Sequence, residues 1–343
     1  MKTKQTAEII DCLDGMKKIP SKSVDCAILD PPYYKVVTEK WDNQWKSFQD
    51  YLDWLEIRCI ELKRVLKDNG SFYIFGDDQS IAYIQVMLDK HFSFLNHLIW
   101  YKRNNQSIKG AENSRRFACV SERILFYSLQ DSTGLSEIHD SKECFRPIKD
   151  YMISEVTKLR EQKGFKTKEE LNQFLNELTG TASVVSRHYF CDSQWVFPTE
   201  IIYLKLQSTG FFPIPYDKLR NGFNTEMVGY EELRLGYESM RRVFHPSHKQ
   251  YEIIDIPIIN STENTTHRTT KPLALIKKLL KASTNEGMTV LDPFAGSWVT
   301  LEAGQYLNLN VIGFDIDDTW MPDYHRRLKN DNTKLDAWTI DNV

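Results

Sequence analysis

Val24-Asp25-Cys26-Ala27-Ile28-Leu29-Asp30-Pro31-Pro32-Tyr33 is an apolar run that stops at an acid, two prolines and an aromatic ring. The β-branched and apolar residues of Val24–Leu29 predict a short buried strand, and no strand continues through Pro31-Pro32. Working outward, Phe48 to Val65 carries Tyr51, Leu52, Leu55, Ile60, Leu62 and Val65 at helical spacing, and Asn69-Gly70 closes that helix. Ser71-Phe72-Tyr73-Ile74-Phe75 predicts a second buried strand, Ile81 to Leu88 a helix, and His97–Tyr101 and Ile124–Tyr127 further strands. Strands alternating with helices imply an α/β sheet.

The rhythm stops between about Asp131 and Tyr251. Asp150 to Lys163, Lys168 to Leu178 and Ala182 to Tyr189 predict helices, the last two joined by Thr179-Gly180-Thr181. A helix, a glycine-containing turn and a helix, with Ser183, Ser186, Arg187 and His188 on the last, fit a helix-turn-helix over 165–190 as well as three helices packed for stability. The loose recurrence of Tyr230-Glu231-Glu232-Leu233-Arg234 at Tyr237 predicts one amphipathic helix. From Asp255-Ile256-Pro257 the α/β pattern resumes: a helix over Pro272–Ala282, a strand over Met288–Leu291, a helix over Thr300–Leu307 and a strand over Val311–Phe314. The expected division is 1–130, 131–255 and 256–330, with a peripheral tail at 331–343.

The 343 residues, 41% hydrophobic and 27% charged, suffice for a packed core and argue against disorder. A net charge of −3 leaves any nucleic-acid binding to local basic patches. The six cysteines form no C-x-x-C pair, so neither a zinc site nor a disulfide framework is expected. No signal peptide or bilayer-spanning apolar stretch is visible, and the expected location is the cytoplasm, with no membrane partner.

Two segments carry chemistry. At Asp30-Pro31-Pro32-Tyr33, the prolines fix the backbone and leave carbonyls as rigid acceptors at a strand's carboxyl edge, where open α/β sheets bind ligands. An exocyclic amino group offers two N–H donors, which Asp30 and the Pro31 carbonyl would accept, while Tyr33 offers a stacking face. At Val290-Leu291-Asp292-Pro293-Phe294-Ala295-Gly296-Ser297, a strand ends at an acid and a small-residue turn opens a helix. Gly313-Phe314-Asp315 then places a second acid about twenty residues on, within reach of ribose hydroxyls. The chain lacks G-x-G-x-x-G there, which disfavours a dinucleotide.

Together these motifs resemble the DNA amino-methyltransferases of the permuted class called β, in which D-P-P-Y comes first, target recognition second and D-P-F-x-G-S last. The resemblance covers well over half the chain. Asp11-Cys12-Leu13 with Ser23-Val24-Asp25, Thr270-Lys271-Pro272-Leu273, and Ser121-Glu122-Arg123-Ile124-Leu125 resemble secondary motifs of that family, the last with Ser where His is usual. It implies a Rossmann-like class I methyltransferase sheet, mostly parallel with helices on both faces, circularly permuted, with an inserted, mainly helical target-recognition region. It implies S-adenosylmethionine as methyl donor and double-stranded DNA as partner, and leaves open a homodimer and a cognate restriction endonuclease. The implied catalytic residues are Asp30, Pro31, Pro32 and Tyr33. Phe294, Ala295, Gly296 and Ser297, after Asp292, would line the methionine moiety with Lys271 and Pro272; Asp315 would take the ribose and Asp11 the adenine amino group. The acid motif is usually led by Glu, where this chain has the shorter Asp315. The family writes G-S-G-T-T where this chain has Gly296-Ser297-Trp298-Val299-Thr300, and Trp298 is expected to be a helix residue facing away from the loop.

The absence of a Pro-Cys pair disfavours methylation of cytosine carbon 5. In the family this chain resembles, Asp at the head of the motif goes with adenine and Ser with cytosine, so the resemblance implies adenine N6, on a base flipped out of the duplex. The alternatives are cytosine N4, a structured RNA, or a catalytically silent DNA-binding subunit. Two basic groups are candidate phosphate contacts: Lys102, Arg103, Lys109, Arg115 and Arg116, and a second containing Arg241 and Arg242; Arg187 is a further candidate.

Overall fold

The structure is a computed structural model and describes residues 3–35, 43–103, 115, 117–132, 144–181, 185–191, 195–222, 228–245, 251–258 and 270–329. It divides into two compact units, Met1–Ser136 with Arg242–Val343, and Glu137–Arg241. The second unit lies within the 131–255 stretch where the α/β pattern is interrupted.

The first unit is built on an eight-stranded sheet of β1 (Gln5–Ile9), β2 (Val24–Leu29), β3 (Leu66–Gly76), β4 (Ser93–Arg103), β5 (Ser121–Ser128), β6 (Ile253–Pro257), β7 (Thr289–Asp292) and β8 (Asn310–Asp315). The order is β1-β8-β7-β2-β3-β5-β4-β6, and only the β5 pairings are antiparallel. This is the mixed, mostly parallel α/β sheet expected from the alternating pattern. β6 lies beside β4, with Trp100 opposite Ile254, so the segment that returns from the insertion completes one sheet edge. The other edge is β1, a half-buried strand whose polar sequence hid it.

Alternate residues feed two cores, because successive side chains leave a strand on opposite faces. Ala27, Leu29, Phe72 and Ile74 pack beneath α1 (Cys12–Lys17), α2 (Phe48–Val65) and α3 (Ile81–Leu88). Cys26, Ile28, Tyr73 and Phe75 pack beneath α10 (Leu273–Ser283) and α11 (Val299–Tyr306). Burial on both faces explains why β2 and β3 read as continuous apolar runs. Ser47 and Asp50 form a capping box that starts α2, and the helix ends at Val65, with Leu66 already extended. Asn69-Gly70 thus lies in an irregular start of β3, where the register with β2 shifts, and not at the helix end.

The second unit is helical: α4 (Arg146–Lys163), α5 (Lys168–Thr179), α6 (Val185–Tyr189), α7 (Glu200–Gln207), α8 (Tyr216–Asn221) and α9 (Tyr230–Met240). A Thr167–Glu170 capping box opens α5, and Gly180 at φ 69° ends it. Its core gathers Ile148, Met152, Leu159, Leu175, Tyr203 and Phe212. Of the helix expected over Ala182–Tyr189, Val185–Tyr189 is helical, a rise of about 7.5 Å, and 182–184 lie outside the described residues. α12 (Met321–Lys329), like α7 and α8, was not anticipated.

Candidate active site

β2 and β7 are neighbours, with Cys26 opposite Val290 and Ala27 opposite Leu291. From β2 the chain continues to β3 on one side, and from β7 to β8 on the other. This is the switch point at which open sheets bind ligands beyond their strands' carboxyl ends. Both motifs end there, and a cavity of about 370 Å³ opens above them. Asp30, Pro31, Pro32 and Tyr33 form one wall; Phe294, Gly296 and Asp315 form another, and Asp11 lines it too. A smaller void of about 30 Å³ continues past Lys271 to Asp292, Ala295 and Ser297.

The Lys271 ammonium lies 2.7 Å from each Asp30 oxygen and 3.5 Å from Glu122 Oε2. Lys102 donates to Glu122 Oε1 at 2.6 Å. Tyr33 Oη donates to Asp30 Oδ1 at 3.0 Å. Two ammoniums therefore balance two carboxylates in the cavity wall. Burial alone would depress the Lys271 ammonium, but Asp30 and then Glu122 outweigh it and hold the group above its ordinary value. Burial would likewise raise the Glu122 carboxyl, yet Lys271 and Lys102 keep it below its ordinary range. Burial, followed by the Asp30 and Glu122 charges, holds the Tyr33 phenol protonated, well above its usual range.

At the opposite end, Asp315 accepts from the Gly296 N–H at 2.7 Å and the Asp317 N–H at 2.9 Å. Asp11 caps α1 through the Leu13 N–H at 2.8 Å and pairs with Arg58 at 2.7 Å. The Arg58 guanidinium lies 4.0 Å above the Trp54 ring, which packs beside Phe294. Asp292 is buried, accepts from the Phe294 N–H at 3.1 Å, and is pushed up to about 7 by desolvation. Pro272 does not line the cavity; it is buried at the start of α10, one residue after Lys271.

Trp298 corrects an expectation. It does not sit within the helix but precedes it, at φ 61° and ψ 21°, and it is fully buried. The backbone needs the left-handed conformation here, which is why the family pattern has glycine. The ring is accommodated by Gly313, where an added Cβ would lie 3.2 Å from Trp298 Cζ3 and 2.7 Å from Leu301 Cδ1.

Several of the expected phosphate contacts have partners within their own unit. Lys102 faces the cavity and is held by Glu122, which gives it a partner other than a phosphate. Arg103 pairs with Asp255 at 2.8 Å, and Arg115 is exposed. Arg242 donates to the carbonyls of Gln130 and Asp131. In the helical unit Arg187 is exposed and Arg241 pairs with Glu238 at 3.2 Å. Lys109 and Arg116 lie outside the described residues. Sequence reasoning gave no role to Glu122, Trp54 or Arg58; the i,i+4 spacing of Trp54 and Arg58 on α2 was the only available signal for that pair.

A sequence profile described as DNA methylase, covering N6 and N4 enzymes, matches residues 24–324. The chain belongs to the N6/N4 DNA methylase family. Among relatives of this DNA methylase, the DNA adenine methyltransferase YhdJ of Escherichia coli (strain K12) is 24% identical over 93% of the chain and 80% of its own length. The type II methyltransferase M1.MboII of Moraxella bovis is 25% identical over 90% of each chain. M.HinfI of Haemophilus influenzae, also a type II methyltransferase, is 33% identical over 34% of this chain and 36% of its own. In fold, the methylase resembles the cytosine-N4-specific PvuII DNA methyltransferase (TM-score 0.53, 11% identity, 97% of this chain and 89% of that one). It also resembles the M1.HpyAVI–SAM complex (TM-score 0.50, 18% identity, 95% and 100%). Among the described residues, no helix is long and apolar enough to cross a membrane.

Proposed function

We propose that this DNA methylase transfers a methyl group from S-adenosylmethionine to N6 of an adenine flipped out of duplex DNA. The observation that carries the reading is the single cavity shared by Asp30-Pro31-Pro32-Tyr33 and the Phe294–Gly296–Asp315 wall. Its volume lies within the usual range for small-molecule sites, roughly 300–1,000 Å³. The donor set also fits the methyl donor: an acid at each of two strand ends, Asp315 and Asp11, a flat ring at Phe294, and small residues at Ala295 and Gly296. Asp315 would hold the ribose, Asp11 the adenine amino group, and Phe294 to Ser297 with Lys271 the methionine end. When bound, the donor supplies a methyl group activated by a sulfonium.

The rest is positioning by the chain. Asp30 and the Pro31 carbonyl accept the two N–H groups of the target amine and turn its nitrogen lone pair toward the donor. Tyr33, kept as a neutral phenol and tethered to Asp30, fixes its ring as the stacking face. Asp30 at the motif's head and the adenine specificity of the YhdJ relative support adenine. The type II names of two relatives support a cognate endonuclease as partner.

The test is incubation with methyl-labelled donor and mixed-sequence duplex DNA, followed by digestion to nucleosides. N6-methyldeoxyadenosine is expected, and it should vanish with Asp30→Ala. Label only in N4-methyldeoxycytidine, or in no nucleoside, overturns the adenine assignment.

A further inference from the structure

Glu122 stands out among the cavity residues for an oxygen with unused capacity. Oε1 holds Lys102 at 2.6 Å, while Oε2 is fully buried and meets the Lys271 ammonium at the longer distance of 3.5 Å. Buried carboxylate oxygens are ordinarily satisfied, so this one calls for a donor. The nearest cation is Lys271, 3.5 Å away, which holds the two Asp30 oxygens more closely, at 2.7 Å each. In that arrangement both Asp30 oxygens face an ammonium and not an incoming amine. Releasing Asp30 outright would strand a buried charge, which is strongly unfavourable.

We propose that the Lys271 ammonium has two docking positions, Asp30 and Glu122 Oε2, and that Glu122 is the positioning residue that receives it when the target amino group takes Asp30. The move is small, since 3.5 Å is within about 1 Å of a charge-assisted hydrogen bond. The Phe75 and Tyr33 rings lie 5.1 and 5.3 Å from Nζ and offer the cation aromatic faces along the way. Lys102 stays on Oε1, so the wall remains neutral in either position. No proton is transferred and no covalent bond changes. The inference rests on the proposed role of Asp30 as acceptor for the target amine.

The experiment places 2-aminopurine beside the adenine that the wild-type enzyme modifies, so that the target keeps its own 6-amino group, and reads the change in emission on loss of the stacked neighbour as the fraction of base everted. Wild type, Glu122→Gln, Lys271→Met and the double variant are compared, with donor affinity measured by calorimetry. Glu122→Gln should lower the everted fraction and kcat about tenfold while donor affinity stays within about twofold. On the Lys271→Met background the same substitution should change eversion by less than about twofold, because there is no ammonium to receive. Glu122→Asp, which keeps the charge, should recover part of the loss. An equal loss on both backgrounds, or eversion unchanged in Glu122→Gln, overturns the inference. If Glu122→Gln does not fold, Glu122→Asp takes its place: a loss of about threefold that appears only with Lys271 present supports the exchange, and any other pattern refutes it. A wild-type enzyme that modifies no adenine refutes the underlying reading; an active one with additive variants refutes only the exchange.

Discussion

Replacing Trp298 separates two opposing contributions that the structure assigns to one residue. The indole is fully buried against Gly313 and Leu301, while the backbone beneath it is left-handed at φ 61°. Removing a buried ring of this size costs about 3–5 kcal/mol. The left-handed backbone costs any residue with a Cβ about 1–2 kcal/mol, and glycine escapes it. Trp298→Ala loses the ring and keeps the strain; Trp298→Gly loses the ring and sheds the strain. Both variants should therefore be less stable than wild type, by about 2–5 kcal/mol. The glycine variant should be the more stable of the two by about 1 kcal/mol, whereas within a helix alanine would win by about the same amount. With an urea slope of about 3 kcal/mol/M, the two midpoints should differ by about 0.3 M. Urea unfolding followed by circular dichroism reads this directly. An alanine variant as stable as the glycine variant would refute the strain assignment, and a glycine variant more stable than wild type would refute the packing of the ring.

Other outcomes follow from the same geometry. Asp292 is raised from 3.8 to about 7, so the folded chain keeps a proton that the unfolded chain has lost, and its contribution to stability falls as pH rises through that window. Asp292→Asn should therefore gain on wild type by about 3 kcal/mol between about pH 5 and pH 8, measured as the pH dependence of unfolding free energy; a constant difference would remove the buried-acid assignment. Tyr33→Phe keeps the stacking ring and loses the bond to Asp30, so kcat/KM should drop about tenfold, and Tyr33→Ala should lose at least about a further tenfold. Gly313→Ala places a methyl 2.7 Å from Leu301 Cδ1 and should cost about 1–3 kcal/mol in the same unfolding assay. Lys102→Ala should leave the salt dependence of DNA affinity unchanged, whereas loss of a true phosphate contact lowers the slope by about 0.9.

The sequence disclosed the parts of the fold that are buried on both sides. β2, β3, β7 and β8 were legible because two packed faces leave apolar runs such as Cys26–Leu29, Phe72–Phe75, Val290–Leu291 and Val311–Ile312, and β2, β7 and β8 each lead to an acid at the sheet edge. β1 was not, since an edge strand can be written in polar residues such as Gln5, Thr6 and Glu8. The two motifs were readable as chemistry, but Glu122 was not, because a carboxylate on a strand acquires meaning only when Lys102 and Lys271 arrive from β4 and from the start of α10. The conformation of Trp298 was hidden for the opposite reason: nothing in its neighbours announces a left-handed turn once the expected glycine is gone. The short helices α7 and α8 lack the length over which periodicity accumulates.

The pairing of β1 with β8 has a cost during synthesis. Gln5 lies opposite Val311, and Ala27 opposite Leu291, so the strands that flank the cavity meet only after the long stretch of chain between them has been made. Contacts this distant along the chain slow folding and leave apolar strands unpaired while they wait. A nascent chain halted before β7 carries β2 with one neighbour missing, a segment that chaperones would have to shield until β7 is made.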